Sequence, residues 1–131
     1  VISKLVLYAD DDADDRAWVI DACKAMHSDM ILHFVENGRK ALDYLKTCTG
    51  SSLPSLIILD LNMPQLDGKR TLQLLKTDPT YAHIPVAIVS TSSSKLDREV
   101  CEHLGASLFL VKPNEHKQWQ NVIEQLTILV R

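Results

Sequence analysis

The chain predicts an α/β fold, a five-stranded parallel sheet doubly wound by helices on both faces, and two observations carry that expectation. Five short apolar runs alternate with segments whose apolar residues recur at helical spacing. The runs are continuous rather than alternating, as in Leu56-Ile57-Ile58-Leu59, which marks strands buried on both faces and joined by right-handed crossovers. A third feature concerns where the runs stop. Four of them end on residues capable of chemistry: Asp10-Asp11, Asp60, Ser90 and Lys112. In open α/β sheets the ligand crevice lies outside the carboxyl ends of the strands.

Taken in order, Leu5-Val6-Leu7-Tyr8-Ala9 is the first strand and Val19, Ala22, Cys23 and Met26 define the first helix, with Asp14 and Asp15 in its first turn, where the dipole favours acids. Ile31-Leu32-His33-Phe34-Val35 is the second strand. Glu36-Asn37-Gly38 makes a turn, and Ala41, Leu42 and Leu45 mark a second helix that fades over residues 47–52. Leu56-Ile57-Ile58-Leu59 is the third strand, ending at Asp60, and residues 63–68 form a loop. Leu72 and Leu75 belong to a third helix stopped at Asp78-Pro79, because proline disfavours helical backbone in the residue before it. Val86-Ala87-Ile88-Val89 is the fourth strand, closed by Ser90. Ser94-x-x-Asp97 opens the fourth helix as a near capping box, with Leu96, Val100 and Leu104 as its apolar stripe and Gly105 as its end. Leu108-Phe109-Leu110-Val111 is the fifth strand, followed at once by Lys112-Pro113. Trp119, Val122, Ile123, Leu126 and Leu129 give the final helix.

Composition narrows the function classes. The 131 residues, 46% apolar and 24% charged, suit one domain over residues 1–131 with a single core, and no second domain is expected. A net charge of −3 with no basic block disfavours nucleic acid. No run approaches a bilayer span, and the start at Val1-Ile2-Ser3-Lys4 lacks a secretory apolar region, so a cytoplasmic location without membrane association is expected. Cys23, Cys48 and Cys101 are odd in number and well separated, which reads as reduced, packing thiols. His27, His33, His83, His103 and His116 lack zinc spacing and read as structural or surface residues.

The pattern alone does not order the strands. With order 2-1-3-4-5, the switch point falls between the first and third strands, and Asp10, Asp11 and Asp60 converge there. Carboxylates brought together repel, so protons or a cation must compensate. Hard oxygen ligands suit Mg²⁺, which keeps several waters and takes its other ligands from carboxylates and a phosphate. Asp10 and Asp11 are therefore read as metal ligands; Asp12, Asp14 and Asp15 are read as acids at a helix N-terminus. Ser90 and Lys112 add a hydroxyl donor and a compact positive charge on the same rim. Nucleophile, metal, donor and charge neutraliser together describe phosphoryl transfer.

With these residues the chain resembles the receiver domains of two-component response regulators over essentially its whole length. The resemblance implies a flavodoxin-like (βα)5 sandwich of order 2-1-3-4-5. It also implies that Asp60, in Leu59-Asp60-Leu61-Asn62-Met63-Pro64, is the phosphorylated residue and that Mg²⁺ is held by Asp10, Asp11, Asp60 and the Asn62 backbone carbonyl. Gly68 is the loop glycine, Ser90 the switch hydroxyl beside Thr91, and Lys112-Pro113 the lysine with its following proline, whose bond is expected to be cis. The stretch Asp78-Pro79-x-x-x-x-His83-Ile84-Pro85 with Ser90-Thr91-Ser92-Ser93 is most similar to single-domain receivers associated with phytochrome-type histidine kinases. Three positions depart from the pattern: Phe109 stands where a switch tyrosine is common, Ser90 for threonine, and Ala13 for proline. Lacking a hydroxyl, Phe109 should adopt an inward rotamer readily, and phosphorylation should shift it toward a buried position.

The implied partners are a sensor histidine kinase or histidine phosphotransfer protein and an unknown downstream protein. Asn62 and Ser92 would flank the hydrolytic water. The output surface would comprise the fourth helix, fifth strand and fifth helix, with Trp119 inward and Lys95, Arg98, Glu102, Lys117 and Gln118 facing solvent. Leu126, Ile128, Leu129 and Val130 are more apolar than one buried face requires, so they either meet a second subunit or finish the core. Two rival classes use related parts: a metal-dependent phosphohydrolase with an aspartate nucleophile, which would also need a cap or substrate pocket, and a flavodoxin-like cofactor carrier, which would need a phosphate-cradling loop where this chain has acids.

Overall fold

A computed structural model of the chain describes residues 4–130; Val1, Ile2 and Ser3, read above for the lack of a secretory region, lie outside them. The elements run β1 (Leu5–Ala9), α1 (Ala13–Ala25), β2 (Ile31–Val35), α2 (Gly38–Thr47), β3 (Leu56–Leu59), α3 (Gly68–Thr77), β4 (Val86–Ser90), α4 (Lys95–His103), β5 (Leu108–Val111) and α5 (Trp119–Val130). Short 3₁₀ turns at Gly50–Ser52 and His116–Gln118 precede β3 and α5. All strand pairs are parallel and the sheet order is β2-β1-β3-β4-β5. No helix among the described residues is long and apolar enough to cross a membrane.

Two cores follow from the two-residue period of the strands. Val6 and Tyr8 of β1 join Ile58, Val89 and the inner faces of α1 and α5, including Val19, Trp119 and Ile123. Leu7 and Ala9 point the other way and join Ile57, Leu59 and Ile88 against Leu45, Leu72, Leu75 and Cys101 of the opposite helices. Trp119 is fully buried, as expected.

Helix ends match the residues that flank them. Asp12 caps α1 by accepting from the backbone N–H of Asp14 and Asp15, Asn37 caps α2, and Asp67 caps α3. Asp78 is the C-cap of α3, immediately ahead of Pro79. Gly105 follows α4 with φ of +108°, a conformation open to glycine at little cost.

Three expectations need correction. The stripe of α4 is rotated: Leu96 is 67% exposed, whereas Cys101 is buried and Leu104 packs on the same core. Half of the capping box forms, with Ser94 Oγ accepting from Asp97 N–H, but the Asp97 carboxylate turns to Lys69 and Ser92 instead of back to Ser94. A charged partner offers Asp97 a stronger bond than a backbone N–H does. At the end of α5, Leu126 and Val130 are buried and Leu129 packs on the core, so the apolar excess reduces to Ile128 at 67% exposure. Completing the core therefore accounts for most of that cluster.

Candidate functional site

The sheet ladder itself places the functional side chains. Just past the last paired residues, Asp10 N–H donates to Val35 O (3.0 Å), Asp60 N–H to Ala9 O (3.0 Å) and Lys112 N–H to Ser90 O (2.7 Å). Each residue is thus held at the carboxyl edge by a neighbouring strand. The acid loop after β1 is pinned further: Asp10 Oδ1 accepts from Asp12 N–H at 2.9 Å, and Arg16 Nη1 donates to the Asp10 carbonyl at 2.7 Å.

Carboxylate oxygens of Asp10, Asp11 and Asp60 lie within 4.8 Å of one another. Asp10 and Asp60 are buried while Asp11 is exposed, so the cluster opens to solvent on one side. Lys112 Nζ sits in the middle of the rim, 2.9 Å from Asp60 Oδ2, 2.9 Å from Asp10 Oδ2 and 2.7 Å from Asp15 Oδ2. Burial disfavours its charge, yet the hydrogen bonds to Asp15 and Asp60 and the adjacent Asp10 carboxylate together outweigh that and hold the ammonium above the ordinary lysine range. For Asp10 burial is the larger influence and raises its carboxyl above the usual range, against the opposing pull of the Asp12 N–H and Lys112. Asp10, Asp11, Asp15 and Asp60 carry more negative charge than Lys112 neutralises. Three hard oxygen donors beside a charge excess fit a divalent cation.

Ser90 is buried at the end of β4, and its Oγ accepts from Ser92 N–H at 3.2 Å. Asn62 lies beside Asp60, its N–H 3.4 Å from Asp60 Oδ1, and lines a cleft of about 530 Å³ with Asp11, Met63, Asp67, Lys69 and Asp97. Gly68 allows α3 to start against the site: a Cβ there would collide with the Asp60 carbonyl and Leu61 Cα. Thr91 is exposed on the loop after β4.

One expectation fails here. The Lys112–Pro113 bond is trans, since no cis peptide occurs among the described residues. Trans is the favoured isomer by about 0.5–1 kcal/mol, and Lys112 reaches Asp60 from that backbone without help. Phe109 is already only 3% exposed, with the Arg98 guanidinium 4.9 Å above its ring and Arg98 Nη1 donating to its carbonyl at 3.2 Å. The ring thus already occupies the inward position expected of an aromatic without a hydroxyl.

Sequence reasoning also missed two contacts. Spacing marks Asp15 only as an acid at a helix N-terminus, whereas its bond to Lys112 spans 97 positions in the chain. Lys69 of α3 pairs with Asp97 of α4 across the cleft, and Ser92 Oγ donates to the other Asp97 oxygen at 2.6 Å. The Lys69 and Ser92 hydrogen bonds lower the Asp97 carboxyl, and the Asp97 bond raises Lys69. No local spacing announces either pair.

Residues 6–124 match the response regulator receiver domain. The chain belongs to that family. The receiver is 28% identical over 124 residues to response regulator Rcp1 of Synechocystis sp., covering 92% of this chain and 84% of Rcp1. It superposes on the phosphorylated cyanobacterial phytochrome response regulator RcpA with a TM-score of 0.85 and 28% identity, covering 95% of this chain and 91% of RcpA. The Mn²⁺-bound form of Rcp1 matches at TM-score 0.79 and 28% identity over 90% of each chain. RPA3017, a response regulator in red light signalling of R. palustris, matches at 0.84 and 30%, covering 93% and 90%. The receiver is thus a two-component signalling module, not a conventional enzyme, and phytochrome and red-light response regulators are among the structures it resembles. Membership sets aside both the phosphohydrolase and the cofactor-carrier readings.

Proposed function

We propose that the receiver takes a phosphoryl group onto Asp60 from a phosphohistidine of a sensor histidine kinase or histidine phosphotransfer protein, and that this switches a protein-binding surface. The observation that carries the reading is the Asp60 carboxylate at the carboxyl edge of β3, 2.9 Å from Lys112 Nζ and grouped with Asp10 and Asp11. One Asp60 oxygen attacks phosphorus, the bond from phosphorus to the donor nitrogen breaks, and its electron pair stays on the imidazole; the product is an acyl phosphate. Lys112 stabilises the equatorial oxygens of the loose transition state. Asp10, Asp11, Asp60 and the Asn62 carbonyl would hold Mg²⁺, which supplies positive charge to the same oxygens.

The dianionic product offers new acceptors to Lys112, to the Ser90 hydroxyl and to the Thr91 backbone N–H. Ser90 Oγ can donate to phosphate while still accepting from Ser92 N–H, because a hydroxyl has one proton and two lone pairs. Such bonds draw the loop after β4 inward and bias an existing two-state equilibrium. With Phe109 already packed, the moving parts are that loop and α4; Arg98, on the ring of Phe109, links them to β5. The readout surface is then α4, β5 and α5, met by a downstream protein in the cytoplasm, and Asn62 and Ser92 flank the water that ends the signal.

Acetyl phosphate with Mg²⁺ should label the protein, and Asp60→Asn should abolish the label. A base-labile, acid-stable phosphate persisting in that variant would sink the assignment of Asp60.

A further inference from the structure

Lys112 is held from an unexpected side. Three carboxylate oxygens lie within 2.9 Å of its ammonium: it donates hydrogen bonds to Asp15 and Asp60, and Asp10 stands beside it as an ion-pair partner. Two of those partners have other duties. Asp60 is the acceptor of the phosphoryl group on the reading above, and Asp10 belongs to the acid cluster that fits a cation. Asp15 belongs to neither. It lies outside that cluster, on the first turn of α1, 15% exposed, and makes the shortest of the three contacts.

We infer that Asp15 is a positioning residue: it tethers the Lys112 ammonium from α1 and keeps it at the rim when Asp60 and Asp10 are engaged by phosphoryl group and cation. This rests on Asp60 being the acceptor. The physical need is clear from the side chain. Lysine carries its charge on four methylenes with about 2 kcal/mol of rotamer entropy, and an ammonium released by Asp60 at the moment of attack would otherwise swing toward solvent beside exposed Asp11. A fixed partner that does not take part in the reaction keeps the positive charge where negative charge develops, which is the condition for preorganised stabilisation. Asp15 also acts in the opposite direction, since another acid near the cleft repels an anionic donor. The two effects differ in sign and can be separated.

The test compares Asp15→Ala and Asp15→Asn with Asp14→Ala. Asp14 is an exposed acid one position away that makes no side-chain bond to Lys112, so its removal takes one charge from the same turn without touching the tether. Labelling by acetyl phosphate is measured at saturating Mg²⁺ and donor, alongside the lysine ammonium ¹H–¹⁵N signal of Lys112. Tethering predicts that Asp15→Ala slows maximal labelling roughly tenfold with half-saturating Mg²⁺ little changed. Asp15→Asn, which keeps an acceptor oxygen, should be intermediate, and Asp14→Ala should match the parent. The Lys112 ammonium signal should exchange faster in Asp15→Ala. Labelling that is unchanged or accelerated in Asp15→Ala, as in Asp14→Ala, overturns the tether while leaving Asp60 as acceptor. Failure of the parent protein to label at all overturns the acceptor assignment instead, and the ammonium signal then judges the Asp15 contact by itself: unaltered exchange in Asp15→Ala rejects it.

Discussion

At the rim of the sheet four carboxylates, Asp10, Asp11, Asp15 and Asp60, face the single ammonium of Lys112, and single substitutions should expose that imbalance. Removing one partner of a buried ion pair costs about 3–5 kcal/mol when the site is sealed. This rim opens to water at Asp11, so Lys112→Met should cost about 2 kcal/mol at neutral pH, and added Mg²⁺ should restore much of it by binding the folded state. Chemical denaturation with and without the ion measures both effects; full stability in Lys112→Met without metal would contradict the charge argument. The pH dependence has a definite sign. Lys112 is raised, so its contribution is complete below the unfolded lysine value near about 10.4 and is lost only as pH climbs through the folded value. Asp10 is raised by burial, so the stability it brings is complete below the unfolded value of about 3.9 and is lost as pH rises through its folded value. Asp10→Asn should therefore raise the melting temperature at neutral pH while weakening Mg²⁺ binding. A lower melting temperature together with unchanged magnesium titration would refute both roles of Asp10.

Among elements, the junction of β3 with α3 is the tightest constraint on the site. Gly68 starts α3 with its N–H donating to Leu61 O at 3.0 Å, and a Cβ on it would overlap the Asp60 carbonyl. A methyl group there must push the Asp60-Leu61 backbone. Gly68→Ala should thus lose about 1–3 kcal/mol and slow acetyl phosphate labelling together, because the acceptor moves with the strain. Loss of stability with labelling at the parent rate would show that the strain relaxes away from Asp60. Across the cleft, Lys69 and Asp97 join α3 to α4, and Ser92 connects that pair to the loop expected to close on phosphate. The contact is half-exposed, so solvent screening keeps its contribution to global stability small; its interest is that α4 cannot shift without disturbing it.

For the whole molecule, the question left by the sequence is association. Leu126, Val130 and Leu129 serve the core, which leaves Ile128 alone on the outer face of the last turn. One exposed isoleucine is common on monomers. The free protein should sediment as a monomer at micromolar concentration; a concentration-dependent dimer would point to another surface, and a dimer formed only with beryllofluoride would place it on the parts that respond to phosphorylation.

Much of this protein was legible in the chain because its determinants are local. Continuous apolar runs name buried strands, helical spacing names the helices, and Asp10, Asp60, Ser90 and Lys112 stand where runs stop, so parallel pairing alone carries them to one edge. The strand order came from the family resemblance and from the sheet itself, since periodicity does not rank neighbours. Tertiary structure decided what depends on rotation and reach. The stripe of α4 turns on how the helix seats on the sheet, which spacing leaves free by one residue, and Leu96 gives way to Cys101. Phe109 is settled by Arg98 from a different element, and the bond between Asp15 and Lys112 spans 97 positions. Long charged side chains choose partners in space rather than along the chain, so only the folded arrangement showed that an acid at the start of α1 holds the lysine at the end of β5.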